Sequence, residues 1–164
     1  TFDESAAYKT RGGRTVYGGG GIMPDRFIPL DTSRYTDYHR RLVGLGYIYR
    51  TVLSYVDGHR KALRKRYPDF KSFSQQFTVS DELLSDLCAR ATADSVAFDS
   101  AQYAKSRPLI ALQLKALIAR DLFDETAYYR IINEDNESLR EALRIINNAE
   151  AYEKILRGAK SGGR

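Results

Sequence analysis

The sequence predicts a mainly α-helical protein: a bundle of about six helices behind a short strand-turn-strand segment. Three observations predict it. From Tyr35 onward, Leu, Ile, Val and Tyr recur at three- and four-residue steps, the spacing of one helix face. Ser, Asp and Asn stand just ahead of successive apolar runs, where helix N-caps belong. Residues 1–32, by contrast, gather Gly and Pro and show no helical period.

Taken in order, short extended pieces are expected at Arg14–Tyr17 and Arg26–Leu30, separated by Gly18–Gly21 and Pro24. Thr32 or Ser33 is expected to cap the first helix. Tyr38, Leu42, Leu45, Tyr49, Val52 and Val56 then share one face. Gly44 and Gly46 each weaken that helix by about 1 kcal/mol relative to Ala. They are expected where another helix approaches closely. The helix either breaks at Asp57–Gly58 or runs to Arg66, and Pro68 stops it. Asp69–Phe77, "DFKSFSQQF", reads as aromatic and irregular.

Ser80 caps the next helix, with Asp81 and Glu82 in its first turn and Leu83, Leu84, Leu87 and Ala91 as its stripe. Asp99 or Ser100 opens the longest helix, to about Leu122, with Leu109, Leu112, Ala116, Leu117 and Ala119 as core candidates. Pro108 is expected to kink it or mark its true start. Asp124 caps a short helix through Asn133, with Tyr128, Ile131 and Ile132 inward. Asn136 caps another, with Leu139, Leu143 and Ile146 inward. Tyr152, Ile155 and Leu156 make a last turn, Gly158 is its C-cap, and residues 159–164 are an expected disordered tail. No internal repeat of fixed period is visible.

Composition bounds the function. Hydrophobic residues at 43% and charged residues at 29% suit a chain that can build a core. With 12 Tyr and no Trp, tyrosine must supply much of that core and its rim. Cys88 is the only cysteine, which excludes an internal disulfide and a Cys-based metal site. No apolar run approaches the roughly 18 residues of a membrane span. The first ten residues lack the apolar stretch of a signal peptide, and a start without Met reads as a piece of a longer protein. The net charge of +5 resides in residues 1–82, densest in "GHRKALRKRYP", Gly58–Pro68.

No complete catalytic set can be nominated from spacing. A phosphate-binding loop needs a Lys-Ser/Thr pair and a following helix. Here Gly18–Gly21 leads into Ile22, Met23, Pro24 and Asp25. His39 and His59 lie far apart without a carboxylate at ligand spacing, so packing or surface roles are expected, and no metal. The basic residues His59, Arg60, Lys61, Arg64, Lys65 and Arg66 fit a solvated helix end, where cations suit the dipole. The alternative is a basic helical module that uses residues 58–68 on nucleic acid or another anionic partner.

"YKTRGGRTVYGGGGIMPD", Tyr8–Asp25, resembles the end of the protease core in carboxyl-terminal processing peptidases, also called tail-specific proteases. Thr10, Gly13, Arg14, Val16, Gly21, Ile22, Pro24 and Asp25 fit that family's segment residue by residue. "GGGGIMPD" looks most like the branch found in Bacteroidetes-type bacteria, and "AKSRPLIALQLKALIARDLF", Ala104–Phe123, is similar to that branch's helical C-terminal region.

The resemblance implies three parts: residues 1–32 as the last strands and Gly-rich turn of the peptidase core, 33–158 as a C-terminal helical domain, and the tail. Gly13, Arg14, Gly20, Gly21, Ile22, Pro24 and Asp25 would then be a structural motif beside the active-site sheet. Glycines would permit positive φ and close backbone packing there, and Asp25 would fix the turn.

The family's serine nucleophile and lysine base lie upstream of this segment. The resemblance therefore implies no catalytic residue here and an inactive chain when alone. The full-length parent would be a cofactor-free serine peptidase of the periplasm or cell envelope, acting on unfolded or tagged proteins. The implied partners are the upstream core and PDZ-like domain of the same parent. Nucleic acid is not expected. Without sheet partners, residues 1–32 are expected to be mobile, or to pair with a second copy by strand exchange.

Overall fold

The structure, a computed structural model of the chain, describes residues 7–11, 15–18, 24 and 26–157. Over these it is mainly α-helical, as the sequence predicts: eight α-helices, one 3-10 turn and two short strands. Two compact units divide it, one of residues 31–135 and the other of the described parts of 1–30 and 136–164.

In the unit 31–135, α1 (Asp37–Gly44) starts where the Thr36 hydroxyl, not Thr32 or Ser33, accepts the His39 N–H at 3.2 Å. The expected single helix is then broken. Gly46 takes φ +75°, a left-handed backbone that glycine adopts without steric cost. α2 (Tyr47–Arg66) therefore begins in a new phase. Leu45 and Tyr49 are left exposed and Tyr47 and Ile48 are buried in their stead, while Tyr38, Leu42, Val52 and Val56 point inward as expected. No atom lies within 4 Å of where a Cβ would sit on Gly44 or Gly46. Close helix approach is therefore not their role. α2 passes Gly58 unbroken and ends before Pro68.

Asp69–Phe77 is helical, contrary to expectation. The Asp69 carboxylate accepts the Ser72 N–H at 2.7 Å and opens α3 (Phe70–Gln76). Phe73 is fully buried and stacks on Phe77 at 4.6 Å, with Tyr67 edge-on to both rings. Two turns are too short to display a helical period, and tertiary packing of the aromatic rings holds them.

α4 (Asp81–Ala93) follows its Ser80 cap and buries Leu83, Leu84, Leu87 and Ala91, all as expected. It closes with Ser95 in the left-handed region at φ 70°. There the Val96 N–H donates to the Ala91 carbonyl (2.9 Å) and the Ser95 N–H to that of Thr92 (3.1 Å), a Schellman ending.

α5 (Ser100–Leu122), capped by Asp99, packs against α1, α2 and α6 (Glu125–Ile132). A helix covered from several sides buries more than one stripe. Ile110, Leu114, Ile118 and Leu122 join Leu109, Ala116 and Ala119 in the core, and Leu112 and Leu117 are half-buried. Each full burial of a Leu or Ile stabilises by roughly 1.5–3 kcal/mol. Pro108 lies inside α5 and does not mark its start. Hydrogen bonds fix α1 on α5: the Tyr38 N–H donates to Gln102 Oε1 (2.8 Å), and the Thr36 and Ser106 hydroxyls meet at 3.3 Å. Asp124 caps α6, which buries Ala127 and Ile131 and half-buries Tyr128 and Ile132. The break at Gly46 and the added α3 turn the expected six helices into eight.

In the other unit, β1 (Ala7–Lys9) pairs antiparallel with β2 (Thr15–Tyr17), Tyr8 opposite Val16. The strand at 15–17 thus pairs upstream, and Arg26–Leu30 is not a strand. α7 (Glu137–Ile146) and α8 (Ala149–Leu156) are capped by Asn136 and Asn148, each accepting an N–H at 3.0 Å. Their apolar residues are not inward. Leu139, Leu143, Ile146, Tyr152 and Leu156 stay 38–66% exposed, and Ile155 is half-buried. Gly158 and residues 159–164 lie outside the described residues.

Candidate functional site

Of the motif beside the expected active-site sheet, only Pro24 is described, and it is exposed. Gly13, Arg14, Gly20, Gly21, Ile22 and Asp25 lie outside the described residues. The hairpin upstream of Pro24 carries exposed side chains at Ala7, Tyr8, Lys9 and Val16.

The structure describes the basic stretch in full, and helical geometry sorts it. At 100° per residue, Arg60 and Arg64 share one side of α2, Lys61 and Lys65 a second, and His59, Ala62, Leu63 and Arg66 a third. Arg60 donates to the Asp121 carbonyl (3.1 Å) and lies 3.3 Å from its carboxylate, while Arg64 donates to the Leu122 carbonyl (3.2 Å). These carbonyls are the unsatisfied, partially negative end of α5, so both arginines serve as its cap. Lys61 and Lys65 are exposed.

The third side lines a cleft of about 520 Å³. Tyr55, His59, Ala62, Leu63, Arg66 and Tyr67 form one wall, and Gln76, Phe77, Thr78 and Ser80 from the α3–α4 connection form the other. Leu63, Tyr67 and Phe77 are buried and make an apolar floor. The His59 ring stacks on Tyr55 with centroids 4.6 Å apart. Its Nδ1 lies 2.8 Å from the Tyr55 carbonyl, which can only accept, so the proton sits on Nδ1 and Nε2 is left for another partner. Arg66 lies over the Tyr67 ring at 5.5 Å. Among the described residues it forms no ion pair. Burial pushes the Tyr55 hydroxyl above its ordinary value, Tyr67 raises it further, and the Arg66 charge pulls it back. Among the described residues, no Asp or Glu lines this cleft.

A groove of about 440 Å³ in the other unit has opposite character. Residues 26–29 face the charged side of α7, and its cations are answered locally. Glu141 takes Arg144 at 2.7 Å and Arg26 at 3.2 Å. Arg144, then Arg26, hold the Glu141 carboxyl below its usual value.

His39 takes the packing role expected for it. It is buried, with Nε2 3.0 Å from Gln113 Oε1. Burial raises the Cys88 thiol above its ordinary value, and the neighbouring Tyr38 hydroxyl opposes the shift. Among the described residues no cluster of three or more His, Cys, Asp or Glu forms a metal-ligand group, and no helix is long and apolar enough to cross a membrane.

Sequence reasoning missed the cleft because its second wall comes from the stretch read as irregular. The signal was the run Tyr55, His59, Ala62, Leu63, Arg66, whose spacing puts one aromatic, two cationic-type and two apolar side chains on a single helix face.

A model of a family of unknown function, DUF8443, matches residues 38–124, more than half of the chain. The match spans α1 to α5 and includes the whole cleft, while the Gly-rich segment, α7 and α8 lie beyond it. No curated protein and no solved structure matches.

Proposed function

For a chain that belongs to DUF8443, a family of unknown function, we propose the role of a non-catalytic C-terminal helical region in a serine endopeptidase that processes or degrades proteins from their C-termini. The residues Tyr8 to Asp25 that resemble such peptidases supply the first support. The observation that carries the reading is the hairpin in that stretch. Among the described residues, two strands of three residues pair only with each other, and the described side chains on them are exposed. A lone two-stranded hairpin is marginally stable in water, and its outer edges offer unpaired N–H and C=O groups. A parent sheet would supply the missing strands.

The role assigned to the helices is docking on that core, and through it stabilisation, control of substrate access, or oligomerisation. The parent would use its Ser/Lys pair upstream, without a cofactor, in the periplasm or cell envelope. The alternative, a nucleic-acid module on residues 58–68, loses support because Arg60 and Arg64 are engaged at the end of α5. A phosphate-tracking surface needs its cations on one side.

The test is peptidase activity on an unfolded protein with an apolar C-terminus. The expected result is none from this chain alone, and activity on mixing it with the upstream portion of the parent. Turnover by this chain alone would overturn the reading. Salt-dependent binding to generic DNA that charge reversal at Lys61 and Lys65 abolishes would favour the alternative.

A further inference from the structure

We propose that the cleft between α2 and the α3–α4 connection is a binding site for a carboxylate carried on an apolar or aromatic body. Arg66 would take the carboxylate, and Leu63, Tyr67 and Phe77 would receive the body. This inference stands on the cleft itself and is independent of the peptidase reading.

Charge is the first argument. In the groove on α7 the cations are answered internally: Arg26 and Arg144 meet Glu141. Arg60, one turn and a half before Arg66 on α2, meets Asp121. Among the described residues Arg66 forms no ion pair, lies over the Tyr67 ring, and faces no acidic residue in the cleft lining. A guanidinium lying over an aromatic face at 5.5 Å can still offer two parallel N–H groups to a carboxylate.

The apolar floor points the same way. Tyr67 and Phe77 are locked edge-to-face at 5.8 Å and are almost wholly buried, so the floor is formed before any ligand arrives. A volume of about 520 Å³ falls in the range of roughly 300–1,000 Å³ usual for small-molecule sites. Apolar lining with a few polar groups converging from the rim is also their usual make-up. Here the polar residues of the lining are His59, Gln76, Thr78 and Ser80. His59 with its proton fixed on Nδ1 offers Nε2 as an acceptor, which suits a ligand N–H beside the carboxylate.

The same chemistry reaches a protein as a free aromatic acid or as an acidic side chain on a peptide, so the test has two probes. Phenylacetate and a capped Phe-Glu dipeptide amide are titrated into the full chain, followed by amide NMR shifts. Saturable shifts confined to the stretch 55–80 are expected from at least one probe, and the one that binds more tightly identifies the source. Phenylacetamide, which keeps the ring and loses the charge, should bind at least about tenfold more weakly than phenylacetate. Arg66→Gln should weaken the better probe by about tenfold or more, and Lys65→Gln, on another side of α2, should leave it unchanged. Both side chains are exposed, so both variants should keep the far-UV circular dichroism of the parent chain. Absence of saturable shifts from either probe to about 20 mM, equal binding of phenylacetamide, or equal losses in the two variants would overturn the site.

Discussion

Residues 31–135 and residues 136–157 are built from the same local parts and end differently. Both use side-chain N-caps, both carry amphipathic helices, and both end helices near basic residues. Yet among the described residues every buried side chain lies between Tyr38 and Ile131. α7 has Leu139, Leu143 and Ile146 on one side and Glu137, Arg140, Glu141 and Arg144 on the other, and it is the charged side that faces residues 26–29. The difference teaches that an apolar stripe records a readiness to be covered. Coverage itself requires a second element across from it, which α5 finds three times over, whereas among the described residues the apolar side chains of α7 stay exposed.

Core truncation should break the comparison most visibly. Phe73→Ala removes a fully buried ring and should cost about 3–5 kcal/mol in denaturant unfolding of the main transition. Leu143→Ala, at half exposure, should change that transition by less than about 0.5 kcal/mol. Equal losses would show that α7 is packed as tightly as the bundle.

Removal of a cap comes next in size. Asp124→Ala takes away the acceptor for the Ala127 N–H and should cost about 1 kcal/mol in the same measurement. Asn148→Ala removes the equivalent bond in α8 and should instead raise amide exchange in α8 while leaving the unfolding midpoint in place. A shifted midpoint for Asn148→Ala would join the two units into one cooperative body.

Ser95→Gly should stabilise by up to about 1 kcal/mol, because the residue sits at φ 70° where a Cβ is strained and glycine is not. A loss of stability would mean that the serine side chain contributes more than its backbone angle costs.

The smallest effect is a pH dependence. Backbone hydrogen bonding to Ser72 holds the Asp69 carboxyl below its ordinary value of 3.8. A folded-state value below the unfolded one favours the carboxylate in the folded chain. The contribution is therefore fully present above the ordinary value and is lost as pH falls through 3.8 toward the lower folded value. Asp69→Asn keeps an acceptor and should flatten this part of the acid-unfolding profile. An unchanged profile would remove Asp69 from the linkage.

What could be read from the residues was what is decided within a turn or two. Ser80, Asp99, Asp124 and Asn136 cap where they were expected, and Leu83, Leu84, Leu87 and Ala91 face the core. The failures have equally specific causes. Gly46 was read as a weak helical residue, whereas its positive φ resets the phase and replaces Leu45 and Tyr49 by Tyr47 and Ile48. α3 is two turns long, too short for a period to declare itself. Of the candidate site, the helix-borne wall was present in the spacing from Tyr55 to Arg66. The facing wall of Gln76, Phe77, Thr78 and Ser80 was not, because it is fixed by contacts between distant side chains.

By itself the sequence determined the class of the fold, the N-caps of α4 to α7 and the apolar stripes of helices such as α4 and α7. These follow from hydrogen bonds and side-chain spacing inside one helix. Tertiary structure alone decided which of those faces were covered, which arginines were used up at the end of α5, and that Arg66 was left over a cleft without an acid. Those outcomes depend on what lies across from a residue in space, and a charge or a stripe carries no record of its partner until the chain has packed.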